Sequence, residues 1–220
     1  MPPVIKNLLI LNGLFFLGQF VAQATLAESS LLANVLNYLA LYPPTGAEQG
    51  LTLFSRGRVA AIPGFWPWQI VSYSFLHGSF WHLFFNMFVL WMFGVQVENQ
   101  WGSQRFGSFY FLCVIGAAVT HLLFVTTPVP TIGASGGVYG VLLAFGMMFP
   151  NQPIYLYFLF PIRAKWFVIG IGALELYSAV TGTAAGVANF AHLGGMVFGL
   201  LLIQYWRGKL PVTPNRQMRW

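Results

Sequence analysis

Four polar side chains in an otherwise apolar chain of 220 residues have the types and spacing to do chemistry: His82, Asn86, Ser135 and His192. A serine hydroxyl is a weak nucleophile until a base takes its proton. Histidine is the natural base, because its ordinary pKa lies near neutrality. Ser135 stands in Gly133-Ala134-Ser135-Gly136, at the start of an apolar run. A helix beginning there would aim unsatisfied N–H groups at any negative charge that develops beside it. His82 and Asn86 are four residues apart, so they share a helix face and could donate further hydrogen bonds to an oxyanion. The chain contains no aspartate, which excludes a Ser-His-Asp triad. Glu175 is the only acid in the middle of an apolar run. It is read as a structural polar contact ahead of a catalytic part, and a Ser135–His192 dyad is the simpler reading. Each residue also has a plainer reading. Ser135 could be a small packing residue among glycines, and His192 a polar contact inside a bundle. Their joint presence with His82 and Asn86 favours chemistry.

The elements that must position these groups are membrane helices. Hydrophobic residues make up 57% of the chain and aromatics 18%, while charged residues are only 6%, against about 25% in an ordinary globular protein. That is too little charge to cover a soluble surface. Six apolar stretches could cross a bilayer, the fourth of them short: about 5–26, 80–97, 106–125, 135–149, 165–181 and 188–206. Ala22-Gln23-Ala24 offers a signal-peptide reading of the first, but its apolar stretch is longer than a signal core. Residues 27–79 form the longest connection. They mix breakers such as Pro43, Pro44 and Gly46 with apolar Leu31–Tyr42 and Trp66-Pro67-Trp68, which suits a structured loop partly in the interface. Together these make a membrane domain over 1–206 and a basic cytoplasmic tail over 207–220.

Orientation follows from the basic residues. With the N-terminus inside, Lys6, Arg105, Arg163, Lys165, Arg207, Lys209, Arg216 and Arg219 are cytoplasmic, and only Arg56 and Arg58 lie outside. The net charge of +6 is therefore read as topology, with no nucleic-acid partner. Segments 2, 4 and 6 then run in the same direction. Residues 135–149 make about 22 Å of helix against a hydrocarbon core of about 30 Å, so Ser135 should lie roughly 8 Å below the outer surface. By the same rise per residue, His192 lies roughly 6 Å deep and Asn86 roughly 9 Å. Polar groups at one depth on parallel helices are costly unless they face a bundle interior or a wet cavity. Gly136 and Gly140 form one G-x-x-x-G face, and Gly195 and Gly199 another. His192 shares the second face, so close packing of segments 4 and 6 would bring it to Ser135.

On these motifs the chain resembles the rhomboid intramembrane serine proteases. The carriers are His82-Leu83-Phe84-Phe85-Asn86, Gly133-Ala134-Ser135-Gly136, and Ala191-His192-Leu193-Gly194-Gly195 with Gly199, spread over about 66–206. The resemblance implies an all-α, polytopic bundle of six transmembrane helices, as in the bacterial members. It implies Ser135 as nucleophile, His192 as general base, and His82, Asn86 and the Ser135 N–H as oxyanion hole. Gly133, Gly136, Gly140, Gly195 and Gly199 would serve helix packing at the site. The expected function is cleavage of transmembrane protein substrates within the lipid bilayer, with segment 5 and the outer loop as lateral gate and no cofactor. The Trp-Arg pair common in that loop is replaced here by Trp66-Pro67-Trp68.

Other residues receive supporting roles. His77 supports the site or sits at the interface, and His121 is an interface residue of segment 3. Glu98 accepts hydrogen bonds or pairs with Arg105 at the inner turn. The four histidines lack zincin spacing, so no metal is expected. Cys113 has no cysteine partner in the chain. The main rival is a catalytically silent relative that binds membrane clients. A small transporter or channel would show internal repeats, and none is visible. The expected location is a prokaryotic inner membrane, with both termini cytoplasmic.

Overall fold

The computed structural model describes residues 1–24, 31–44, 64–125, 129–156, 159–183 and 188–212, with 214 and 217. Parts of the long outer loop (25–30 and 45–63) and most of the tail beyond 212 lie outside these residues, so the readings placed there are not taken further.

The described chain is a helical bundle. Its helices are α1 (Pro3–Ala24), α2 (Leu31–Leu39), α3 (Gln69–Ser72), α4 (Phe80–Trp101), α5 (Ser103–Phe124), α6 (Ser135–Met148), α7 (Ala164–Thr181) and α8 (Asn189–Trp206). A 3-10 turn, Tyr73–Phe75, leads into the loop before α4. Between α6 and α7 a small antiparallel hairpin pairs β1 (Pro153–Leu156) with β2 (Phe160–Arg163), a feature the apolar pattern does not announce. Three helices, α1, α4 and α5, meet both the length and the hydropathy of a membrane span. The other three helices expected from sequence to span, α6, α7 and α8, are shorter or less apolar. α6 has 14 residues, and α7 and α8 have 18 each and carry Glu175, Asn189 and His192. Polar residues that face the interior lower hydropathy without exposing anything polar to lipid.

Burial supports the same reading. Leu14, Phe20, Trp91, Leu123, Leu174 and Val180 are all exposed, whereas Asn12, Gln19, His77, Asn86, Glu98 and His192 are buried. A surface this apolar, with polar side chains turned inward, suits lipid as solvent.

The centre of the bundle is α6, whose Val138, Val141, Leu142, Ala144 and Phe145 are all buried. It packs against α4, α5 and α8, and α5 packs extensively on α8. Cys113 is buried in α5 and free of any disulfide. α7 is peripheral, with only Ala164 and Val168 buried, both in its N-terminal third.

Glycine sets two places where backbones nearly touch or turn sharply. Gly102, at φ +79°, joins α4 to α5 in a single-residue turn. α4 thereby runs four residues beyond the end expected from hydropathy. At the α6–α8 crossing, a Cβ on Gly195 would overlap the Gly136 carbonyl oxygen and stand 2.8 Å from its carbonyl carbon. Only glycine permits this approach. Glu98, at the inner turn, is 1% exposed. Its carboxylate accepts from the N–H groups of Val4 (3.0 Å) and Ile5 (2.8 Å) and from the Ser103 hydroxyl (2.7 Å). It therefore caps the positive end of α1. Arg105 instead sits over the Trp206 ring, 5.6 Å from its centroid.

Candidate active site

The site is assembled from the first turns of α4, α6 and α8. Ser79 caps α4, its hydroxyl accepting from the His82 N–H at 3.1 Å. This fixes the start of α4 three residues before His82. The Gly78 N–H lies 3.4 Å from His82 Nδ1, an outer-limit hydrogen bond. The other ring nitrogen faces Gly133: a Cβ at that position would stand 2.8 Å from His82 Nε2. Gly133 also has φ +129°, so both conformation and space require glycine there. Asn86, one turn further along α4, is 7% exposed and donates from Nδ2 to the His82 carbonyl at 2.9 Å. An amide has two N–H groups, so the second remains available to a ligand.

The connection before Ser135, described from residue 129, is irregular backbone, and it is held at several points. Leu41 and Thr131 exchange backbone hydrogen bonds of 3.0 and 2.9 Å. The Thr131 hydroxyl meets His121 Nε2 at 2.7 Å, so His121 braces this loop from α5. The Gly133 N–H donates to the Tyr73 carbonyl at 3.0 Å, and the Ala134 N–H lies 3.5 Å from His77 Nε2. His77 is itself clamped by Gln19 of α1, which accepts from its N–H (3.0 Å) and donates to its carbonyl (2.9 Å). Burial and the nearby His82 hold the His77 imidazole down at about 3, well below its ordinary 6.5. It is a neutral buttress, edge-on to the His82 ring at 4.9 Å.

The close α6–α8 crossing brings Ser135 and His192 together. His192 Nε2 lies 2.8 Å from Ser135 Oγ. The Tyr139 ring stacks on the His192 ring, with centroids 4.3 Å apart and planes 6° from parallel, and so fixes the imidazole plane. Ser135, His192, His82 and Asn86 all line one cavity of about 960 Å³. Its apolar wall comes from Phe85 and Val89 of α4 and from Phe167 and Ile171 of α7. The cavity therefore extends between these two helices. Of the expected packing residues, Gly136 and Gly195 meet backbone to backbone. Gly140 and Gly199 also face each other, a Cβ on Gly199 falling 3.5 Å from the Gly140 Cα.

Two further residues join the site. Glu175, expected as a structural polar contact, has its Oε2 3.0 Å from His192 Nδ1. Its other oxygen accepts a short hydrogen bond from the Tyr139 hydroxyl. A signal for Glu175 was present: six residues before the end of α7 is about 9 Å of helix, the depth already computed for the other polar groups. Tyr139 follows Ser135 by four residues and so shares its helix face.

Comparison with known proteins bears on the family. A rhomboid domain profile matches residues 65–208. The chain belongs to the rhomboid family. Rhomboid protein 1, mitochondrial, of Saccharomyces cerevisiae is 32% identical over 157 residues, covering 69% of this chain and 44% of the yeast protein. RHOMBOID-like protein 4 of Arabidopsis thaliana is 33% identical over 196 residues, 85% of this rhomboid and 43% of the plant protein. Rhomboid protease GluP of Bacillus subtilis is 33% identical over 156 residues, 70% of this chain and 29% of the bacterial protein. The chain thus spans less than half the length of each of these relatives. As a rhomboid it is an integral, multi-pass membrane protein. Its relatives come from a bacterium as well as from mitochondria and plants, so membership alone does not select the prokaryotic inner membrane expected from sequence.

Proposed function

We propose that this rhomboid is an intramembrane serine endopeptidase that cleaves transmembrane segments of membrane proteins. The observation that carries the reading is the 2.8 Å approach of His192 Nε2 to Ser135 Oγ inside a cavity of the bundle. Nucleophile and base are within proton-transfer reach, and the serine opens a helix.

In the proposed cycle, Ser135 Oγ attacks the scissile carbonyl carbon while His192 Nε2 takes the hydroxyl proton. The carbonyl oxygen becomes an oxyanion. The Ser135 N–H, the free Asn86 N–H and His82 Nε2, when protonated, would be its donors. As the carbon–nitrogen bond breaks, His192 returns the proton to the leaving amine. Water then attacks the acyl-enzyme, with His192 again as base, and releases the acid and free Ser135. No metal or organic cofactor enters these steps.

Several features support a membrane substrate. The cavity extends between α4 and α7, lined there by Phe85, Val89, Phe167 and Ile171, an apolar wall suited to a lipid-embedded chain. α7 is only lightly packed, in keeping with a lateral gate. A substrate helix must unwind locally, since intact helical carbonyls are already bonded. Six spans, with both termini on the cytoplasmic side, accord with the eight-to-two distribution of basic residues.

The direct test is fluorophosphonate labelling in detergent of wild type, Ser135→Ala and His192→Ala, followed by cleavage of a model transmembrane substrate. Labelling and cleavage by wild type alone are expected. Folded wild type that neither labels nor cleaves would select the silent, client-binding alternative.

A further inference from the structure

The structure points to a third member of the catalytic group. We propose that Glu175 on α7 is the positioning residue for His192, setting its tautomer and ring orientation, so that the working unit is Ser135–His192–Glu175 with Tyr139 as the carboxylate's anchor. The proposal rests on the protease reading above and deepens it.

Four observations carry it. The Glu175 Oε2–His192 Nδ1 separation is 3.0 Å, on the side of the imidazole opposite Ser135. Both atoms are buried, and neither has a hydrogen-bond partner among the described residues. Oε1 is held by the Tyr139 hydroxyl, and the Tyr139 ring lies flat on His192. One tyrosine thus fixes both the acid and the base. Finally, Ser135, His192 and Tyr139 sit on helices that pack tightly together, whereas Glu175 arrives on α7, which has no buried residue beyond Val168.

The chemistry follows from tautomers. His192 can accept the Ser135 proton at Nε2 only if its single proton is on Nδ1. An ionised carboxylate facing Nδ1 selects that tautomer and stabilises the imidazolium that forms during attack. The Nδ1–Oε2 contact is at ion-pair distance without an aligned N–H···O bond. Such catalytic contacts are commonly loose without substrate and tighten in the complex. Because the carboxylate is on α7, movement of that helix couples occupancy of the cavity to the competence of the base.

The Gln substitution has a specific consequence. With the Tyr139 hydroxyl donating to the amide oxygen, the amide NH2 takes the place of Oε2 and faces Nδ1. A donor there favours the tautomer with its proton on Nε2, which cannot act as base. Removing the Tyr139 hydroxyl as well lets the amide turn its oxygen toward Nδ1.

The test is steady-state cleavage of a single-span model substrate in liposomes by wild type, Ser135→Ala, Glu175→Gln, Tyr139→Phe and the Glu175→Gln/Tyr139→Phe double variant. Thermal unfolding of each is followed in parallel. Glu175→Gln should lower kcat about 10²-fold, within the range of acid–base contributions, with KM changed by no more than about threefold. The double variant should be at least as active as Glu175→Gln alone, a strong departure from additivity. A kcat for Glu175→Gln within about threefold of wild type overturns the proposal. So does a change confined to KM, which would mark Glu175 as a latch for α7, or a double variant that falls by the product of the single effects. If Glu175→Gln does not fold, Tyr139→Phe decides. It keeps the charge but frees the carboxylate, and should lower kcat by about threefold to tenfold; an unchanged kcat overturns the assignment. Wild type that fails to cleave, or Ser135→Ala that cleaves equally, would instead refute the protease reading itself.

Discussion

Replacing Gly195 by alanine perturbs the Ser135–His192 pair without touching either residue. At the α6–α8 crossing the new methyl would overlap the Gly136 carbonyl oxygen and stand 2.8 Å from its carbon and 3.2 Å from its Cα. All three are backbone atoms, so no side-chain rotation relieves the clash, and the helices must separate by about 1 Å or more to restore van der Waals contact. Overpacking of a tight core costs about 1–3 kcal/mol, and a backbone-to-backbone site belongs at the top of that range. His192 lies three residues before Gly195 on the same helix face. A 1 Å separation would take its 2.8 Å contact with Ser135 beyond hydrogen-bond reach. Misplacement of that size can lower a rate by about 10²-fold.

Two other glycines provide internal controls. A Cβ on Gly199 would sit 3.1 Å from Phe109 Cζ and 3.2 Å from Cys113 Sγ, side-chain atoms that can yield by tenths of an ångström. Gly199→Ala should therefore cost about 1 kcal/mol or less. Gly170, in α7, has nothing within 4 Å of its Cβ position, and Gly170→Ala should be neutral or stabilise by up to about 1 kcal/mol. The assay is thermal unfolding in one detergent together with the fluorophosphonate labelling rate. The expected order of stability is Gly170→Ala, Gly199→Ala, then Gly195→Ala, with labelling lost first at Gly195. A Gly195→Ala protein that unfolds and labels like wild type would refute the claim that this backbone contact sets the Ser–His distance.

Three further outcomes are expected. His77 is held neutral in the fold at about 3 against 6.5 when unperturbed, so between those values the unfolded chain binds the extra proton. Stability should fall as pH drops below 6.5, by at most about 2 kcal/mol at pH 5. His77→Gln should flatten this part of a Tm-against-pH curve. Glu98→Ala leaves the Val4 and Ile5 N–H groups and the Ser103 hydroxyl without their acceptor. It should destabilise by about 2–4 kcal/mol in thermal or denaturant unfolding. Asn86→Ala should lower kcat for substrate cleavage by about 10²–10³-fold if its free N–H meets the oxyanion, while the melting temperature stays near that of wild type.

Much of the architecture was legible because lipid imposes few choices. Long apolar runs must be helices when no water can satisfy their backbone, so the starts of α4 and α6 could be read closely from hydropathy. Depth along parallel helices then brought Ser135, Asn86 and His192 to one level before any packing was known. The β1–β2 hairpin was not legible, because Pro153–Arg163 has the apolar composition of everything around it. Nor was the brace that His77, Gln19 and His121 form around residues 131–134. It depends on contacts between α1, α5 and two loops that no local pattern encodes.

Glu175 shows why a polar residue in such a chain should be located by depth before it is given a role. On an antiparallel helix its sequence position looks unrelated to the motifs on α4, α6 and α8. Measured from the end of α7, it falls at their level. Leaving a carboxylate unpaired at that depth would be costly, so a partner had to exist. Among the described histidines His192 is the one whose second nitrogen meets it. The absence of aspartate excludes one named triad but leaves its chemical requirement intact: something must hold the proton of the base on the nitrogen away from the serine. In this rhomboid the group placed to do so lies on α7, a helix loosely held by the bundle. If the kinetics of Glu175→Gln follow the tautomer argument, access to the cavity and activation of the serine are coupled through one carboxylate, and α7 cannot move without changing both.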